Sequence, residues 1–250
     1  MARAAVRGRL TWHVSTLRER IVETPVASTL RLEVEQWPGH AAGQHVDVKL
    51  TAADGYSTQR SYSIASAASG PLRSESLDIT VQVVAGGEVS PFLAHDLPVG
   101  AQVEVRGPIG GWFVWTGEQA QPMLLIAGGS GIVPLMSMVR TRAALGSKVP
   151  CRLIVSVRTP VDLIYADELR TLSRDGAGVD VSVVYTREAP LDHPRRPGRI
   201  VIDDLGAHGW PASFEPQCFV CGPTGFVETV SQWLLDLGHE PSAIRTERFG

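Results

Sequence analysis

Met123-Leu-Leu-Ile-Ala-Gly-Gly-Ser-Gly-Ile-Val-Pro134 is the stretch on which the fold assignment turns. Five apolar residues run into a glycine-rich turn, and a second apolar run follows with Pro134 near its start. This order predicts a buried strand, a tight turn and a helix whose first N–H groups face whatever lies over the turn. Bare backbone donors at a helix start suit a phosphate. Gly129-x-Gly131 begins like the dinucleotide fingerprint, but Pro134 stands where that fingerprint has its third glycine.

The surrounding chain has 250 residues, enough for one large domain or two ordinary ones. Its hydrophobic content of 44% and charged content of 20% describe a globular protein with a proper core. Net charge is −3 with both signs dispersed, so neither a nucleic-acid stripe nor a polybasic membrane patch is expected. Cys151, Cys218 and Cys221 are too few for a disulfide framework or a four-thiolate iron–sulfur cluster, and a reducing cytoplasm is expected. Cys218-x-x-Cys221 lacks the second ligand pair that a zinc site needs, so no metal is expected. The uncharged run Gln119–Val139 is long enough to span a bilayer, but its central glycines and Pro134 divide it into strand, turn and helix.

From Trp12 to Trp115 short alternating runs such as Thr29-Leu-Arg-Leu-Glu-Val and Leu77-Asp-Ile-Thr-Val-Gln-Val are separated by turn residues, predicting an antiparallel barrel or sandwich. One helix is expected inside it, with Ser90 as N-cap and Pro91 in the first turn. Beyond it, strand-like runs at 123–127, 151–157, 179–185 and 217–221 alternate with helical stretches at 132–145, 165–173 and 225–237, the mark of a parallel sheet with crossover helices. The expected organisation is a flexible tail at 1–11, a β domain at 12–115, a linker at 116–122 and an α/β domain at 123–250.

Three further motifs accompany the glycine turn. Arg60-Ser-Tyr-Ser-Ile-Ala-Ser66 offers a permanent cation, an aromatic plane and hydroxyls on one strand. Gly86-Gly-Glu-Val-Ser90 leads into the β-domain helix, and Cys221-Gly-Pro223 ends a predicted strand. Taken in this order with Gly107-Pro-Ile-Gly110 and the terminal Glu247-Arg-Phe-Gly250, the chain resembles the ferredoxin–NADP reductase family from about Trp12 to Gly250, above all the flavin reductase components of bacterial oxygenase systems. The resemblance implies a six-stranded antiparallel FAD-binding barrel followed by a parallel-sheet NAD(P)H-binding domain, with FAD rather than FMN as the flavin. It implies that Arg60 holds the flavin phosphates, Tyr62 packs on the flavin ring, Ser63 bonds near the hydride-accepting nitrogen, and Ser66 completes the motif. Gly86, Gly87, Val89 and Ser90 would cradle the phosphates, while Gly128, Gly129, Gly131 and Pro134 would hold the nicotinamide nucleotide. Cys221, Gly222 and Pro223 would lie beside the nicotinamide, and Glu247 and Phe249 would close the flavin site. The catalytic group implied is Tyr62, Ser63, Cys221, Glu247 and Phe249.

Ser156 and Arg158 follow the second α/β strand, where an acidic residue would grip an adenosine ribose; an Arg there suits a 2′-phosphate, with Arg187 assisting. NADPH is therefore expected as the donor, with NADH the alternative. The resemblance also implies hydride transfer to flavin and single-electron delivery to a separate carrier, a [2Fe–2S] ferredoxin of an oxygenase or P450 system, because these three cysteines do not fit a fused cluster domain. Reduction of free flavin or another small acceptor is the alternative. A monomer or weak oligomer is expected. A rival class is a serine hydrolase, with Ser130 in a partial nucleophile elbow and Asp203 with His208 or His239 in triad order; Ile132 replaces the elbow's second glycine.

Overall fold

A computed structural model describes residues 10–52, 54–68, 76–174 and 178–249. Residues 1–9 of the expected tail, Ala53 of the turn residues Ala53-Asp-Gly between two alternating runs, and the terminal Gly250 lie outside the described residues.

The alternating runs form β1 (Trp12–Thr24), β2 (Ala27–Val34), β3 (His45–Thr51), β4 (Ser57–Ser63), β5 (Ser76–Gln82) and β6 (Gln102–Ile109). They make one antiparallel sheet in the order β4-β3-β6-β1-β2-β5. Every second residue turns inward, so Leu30, Leu32, Val34, Val46, Val48, Leu77, Ile79, Val81 and Val105 are fully or almost fully buried in one core around Trp37. Ile64, just past β4, bridges Ile79 of β5, so the two edge strands meet and the sheet curls into a barrel. Gly107-Pro-Ile-Gly110, whose glycines and proline read as turn residues, is strand through Ile109, and β6 ends only before Gly110.

The β-domain helix starts earlier than expected and is capped differently. It comprises α1 (Val89–Pro91) and a wider π-helical turn at Phe92–Asp96, with Glu88 at the N-cap position. Ser90 is therefore inside the helix. Its hydroxyl accepts a hydrogen bond from the Val84 N–H at 2.9 Å and folds the preceding loop back onto the helix.

The second half holds β7 (Met123–Gly128), α2 (Ile132–Ala144), β8 (Cys151–Val157), α3 (Ala166–Arg174), β9 (Val179–Tyr185), α4 (Ile202–His208), β10 (Gln217–Pro223), α5 (Thr224–Asp236) and β11 (Ile244–Phe249). The strands form a parallel sheet in the order β11-β10-β7-β8-β9. β7 lies at its centre and all six of its residues are buried, because helices cover both faces. α4 and β11 were not among the expected elements. The uncharged run divides into β7 and α2 as expected, and among the described residues no helix is long and apolar enough to cross a membrane.

The two halves are joined through packed surface. Ala27, Ala42, Ala65, Phe113 and Trp115 share a core with β7, α2 and β10. One face of α2 is also bonded to the chain just after β4. Ser137 Oγ donates to Ser66 O at 2.7 Å, Arg140 Nη1 donates to Ala65 O at 2.7 Å, and Thr141 Oγ1 accepts the Ala68 N–H at 2.7 Å.

Candidate functional site

The glycine turn sits in the crevice between β7 and its neighbour β10, at the carboxyl ends of the strands, where open parallel sheets take their ligands. Gly129 to Gly131 form a 3-10 turn that runs directly into α2, and Gly129 has φ +56°. A side chain at Gly131 would meet the Cys221 carbonyl oxygen at 2.1 Å, so only glycine lets the helix start rest on β10. Gly128 and Gly222 both pack on the Phe226 ring, where added β-carbons would come within 2.9 and 2.8 Å. Pro134 is buried as the third residue of α2, where its missing N–H costs nothing.

A cleft of about 520 Å³ opens in front of this turn. Its barrel wall is Arg60 to Ser63, Thr80 and Gln82 to Val84, its floor Gly87 to Ser90, and its other wall Ser130, Val133 and Phe249. Both halves of the chain therefore build it. Ser63 Oγ donates to Glu247 Oε1 at 3.3 Å, linking β4 to β11 across 184 residues of sequence. Burial raises the Glu247 carboxyl to about 7, against a smaller opposing effect of the Ser63 bond. Burial likewise pushes the Tyr62 hydroxyl up to about 12, so it stays protonated. Cys221 pairs in register with Glu247, and burial, reinforced by that carboxylate, pushes its thiol well up.

Most of the expected flavin residues meet in this cleft: Arg60, Tyr62, Ser63, Gly87, Val89, Ser90 and Phe249 line it, and Glu247 reaches it through Ser63. Gly86 lies one residue outside the lining, with φ +75° in the turn before Gly87. Ser66 is elsewhere. Its hydroxyl accepts the Asp78 N–H at 3.2 Å, and its carbonyl accepts from Ser137 of α2, so it serves the contact between the halves. Thr80 was not anticipated here, and Ser130 and Val133, which belong to the glycine turn expected at the nucleotide, reach the cleft of the flavin motif as well. Their place depends on how barrel and sheet meet, and no local pattern announces it.

A second cleft of about 830 Å³ lies beyond the turn and brings together Ser156, Arg158, Arg187 and Pro223. It adds Arg199, which was not anticipated, and the half-buried rings Phe226 and Trp233. The Arg187 N–H donates to Arg158 O at 2.9 Å, which places the two arginines side by side. Among the described residues none of Arg158, Arg187 and Arg199 makes an ion pair. Phe226 and Trp233 are seven residues apart on one face of α5, a spacing that was open to detection from sequence.

The hydrolase arrangement is not formed. Ser130 lies at the carboxyl end of the sheet. His239 contacts Cys218, and Gly209, next to His208, accepts from Arg152; both strand residues pair with Leu124 at the opposite end. Cys218 and Cys221 do not form a redox pair either. Three residues apart on β10, they enter different cores on opposite faces of the sheet.

The oxidoreductase FAD-binding domain matches residues 16–114, and the oxidoreductase NAD-binding domain matches residues 125–232. Ferredoxin–NADP reductase B of Sorangium cellulosum is 33% identical over 83% of this chain and 84% of that protein. The chain belongs to the ferredoxin–NADP reductase family. The glycine betaine monooxygenase reductase subunit of Chromohalobacter salexigens is 32% identical over 83% of this chain but 55% of its own length. The reductase chain thus spans about half the length of such curated relatives. Among solved structures, the FAD/NAD-binding domain of Vibrio cholerae nitric oxide dioxygenase superposes with a TM-score of 0.82 at 25% identity, covering 95% of this chain and 98% of that one. A cytochrome P450 reductase from Amycolatopsis gives 0.82 at 25% identity, covering 98% and 73%.

Both clefts of the reductase fit the groups these domains bind. The first offers a permanent cation and backbone amides for a diphosphate and aromatic faces for a planar ring. The second offers cations without counter-charges beside aromatic rings.

Proposed function

We propose that this reductase oxidises NADPH, with NADH the poorer donor, through bound FAD and delivers single electrons to a separate ferredoxin-type carrier of an oxygenase or P450 system. The observation that carries this reading is the composition of the first cleft, lined from one side by Arg60 to Ser63 and from the other by Ser130, Val133 and Phe249. A ring held by the barrel and a ring held by the glycine turn would meet there.

FAD, when bound, supplies a hydride-accepting ring that releases electrons singly. The chain supplies position. Tyr62 presents a neutral aromatic face on one wall, and Phe249 faces the cleft from β11, 38% exposed and able to shield the ring contact from water. Ser63 and Glu247 hold one hydrogen-bonded pair at the wall, with a carboxyl that changes charge near neutrality. Arg60 and the amides of Glu88 to Ser90 suit the flavin diphosphate, while the Gly87 N–H donates to the Val84 carbonyl at 3.0 Å.

Arg158, Arg187 and Arg199 suit a 2′-phosphate, which favours NADPH. The carrier lies outside these two domains, because Cys151, Cys218 and Cys221 are all buried in strands, where they cannot gather round a cluster. Relatives named as reductase components of naphthalene dioxygenase and propane monooxygenase systems point the same way.

Anaerobic titration of the purified protein with each nucleotide tests this reading. Flavin bands in the visible spectrum should bleach at lower NADPH than NADH concentration. Colourless protein that binds no added FAD, or bands that neither nucleotide bleaches, would remove the proposal.

A further inference from the structure

The segment from Arg187 to Val201 leaves the end of β9, makes an excursion without regular structure and returns to the second cleft through Arg199, Ile200 and Val201. Holding three arginines in one cleft without a carboxylate is unfavourable until an anion arrives, because the like charges repel. Arg158 and Arg187 are held by their backbone bond. Arg199 sits at the end of the excursion and needs another restraint.

That restraint is Arg195. All five of its guanidinium N–H donors are engaged. Nε and Nη2 make a forked pair with Asp204 at 2.7 and 2.9 Å, Nη1 donates to the carbonyls of Arg196 and Gly198 at 3.0 Å each, and Nη2 also donates to the Arg199 carbonyl at 2.7 Å. Asp204 Oδ2 accepts the Val201 N–H at 2.8 Å as well, so the carboxylate at the start of α4 grips the chain on the far side of Arg199. The side chains are 23% and 9% exposed, well shielded for an ion pair. His193 packs edge-on to Tyr185 at 5.0 Å, and the Gly198 N–H donates to Tyr185 O at 2.9 Å, tying the same excursion to β9.

We infer that Arg195 and Asp204 are a positioning pair for donor specificity: they fix the backbone on both sides of Arg199 and so hold it at the nucleotide 2′-phosphate beside Arg158 and Arg187. The inference rests on the 2′-phosphate assignment proposed above. Neither residue lines the cleft, so each acts through Arg199.

The test is steady-state kinetics of the full-length flavoprotein with ferricyanide as acceptor, comparing kcat/KM for NADPH and NADH. Arg195→Lys keeps a charge beside Asp204 but lacks the fork needed to reach a carboxylate and three carbonyls together. It and Arg195→Ala should lower the NADPH:NADH ratio about tenfold, the size expected for loss of one charge-assisted contact, with the change in KM for NADPH and not in kcat. Arg199→Ala should do the same directly. If Arg199→Ala lowers the ratio and both Arg195 variants, folded by circular dichroism, leave it within twofold of the parent, the positioning role is wrong while the 2′-phosphate assignment stands. If the parent shows no NADPH preference, and Arg158→Ala and Arg199→Ala affect both nucleotides equally, the assignment fails and the positioning role fails with it.

Discussion

Glu247 shows how one side chain changes meaning between sequence and structure. In sequence it is one acidic residue near the end of the chain. In the fold it is half-buried on β11, bonded to Ser63 of the barrel and opposite Cys221 on β10. Burial lifts its carboxyl from 4.5 to about 7, so ionisation in the folded state is unfavourable. A raised folded-state value contributes stability that is complete below 4.5 and is lost as pH rises toward 7. The loss amounts to at most about 3 kcal/mol. Glu247→Gln should abolish it, so the Tm difference between parent and variant should shift by several degrees in the variant's favour from about pH 5 to about pH 8. Parallel Tm profiles across that range would show that Glu247 does not titrate as described.

At the scale of the element, the opening stretch behaves as its pattern predicted, a strand of six buried residues and a helix joined by a glycine turn. Two glycines of the turn have different reasons for being glycine. Gly129 adopts φ +56° with open space where a β-carbon would stand, so Gly129→Ala should cost about 1–2 kcal/mol of backbone strain. Gly131 has an ordinary φ of −59° but rests against the Cys221 carbonyl. Gly131→Ala must lift α2 from β10, an overpacking cost of about 1–3 kcal/mol, and it moves the first amides of α2 as well. In calorimetry and nucleotide titration, both variants should lose stability, and Gly131→Ala should weaken NADPH binding by about tenfold or more relative to the parent. Equal nucleotide affinities would place the contact with β10 outside the binding geometry. α4 and β11 were illegible at this scale: α4 is a seven-residue helix with only two buried positions, and Ile244–Phe249 carries a single buried residue, so neither has a periodic apolar signature.

At the scale of the whole molecule, the relation between the two halves decides whether the cleft exists. Ser137, Arg140 and Thr141 of the helix that starts at the nucleotide turn bind the backbone of Ala65, Ser66 and Ala68, just after the flavin motif. Arg140 is itself held by Glu168 and lies 4.4 Å over the Tyr165 ring. The Tyr165 hydroxyl is bonded to Thr80, a wall residue of the cleft. Arg140→Ala should cost about 1–2 kcal/mol, because it leaves the Ala65 carbonyl without its donor while water still reaches the part-exposed Glu168. It should also slow flavin reduction at saturating NADPH in stopped-flow measurement, since small misplacements of reacting groups cost large factors in rate. A reduction rate equal to the parent's would show that the latch stabilises the fold without aligning the two sites.

Sequence alone determined the local order of this protein: an alternating β half, a parallel α/β half, a glycine turn between a buried strand and a helix, and the motifs that carry the family resemblance. These follow from period, propensity and turn chemistry, which act over a few residues. Tertiary structure alone decided that Glu247 meets Ser63, that Ser66 serves the contact between halves, that Thr80 and Val133 wall the first cleft, and that Arg199 joins Arg158 and Arg187. All but the pairing of Arg187 with Arg199 join segments far apart in the chain. Their geometry depends on how barrel and sheet pack together and on how Arg195 folds its own loop, so no local pattern encodes them.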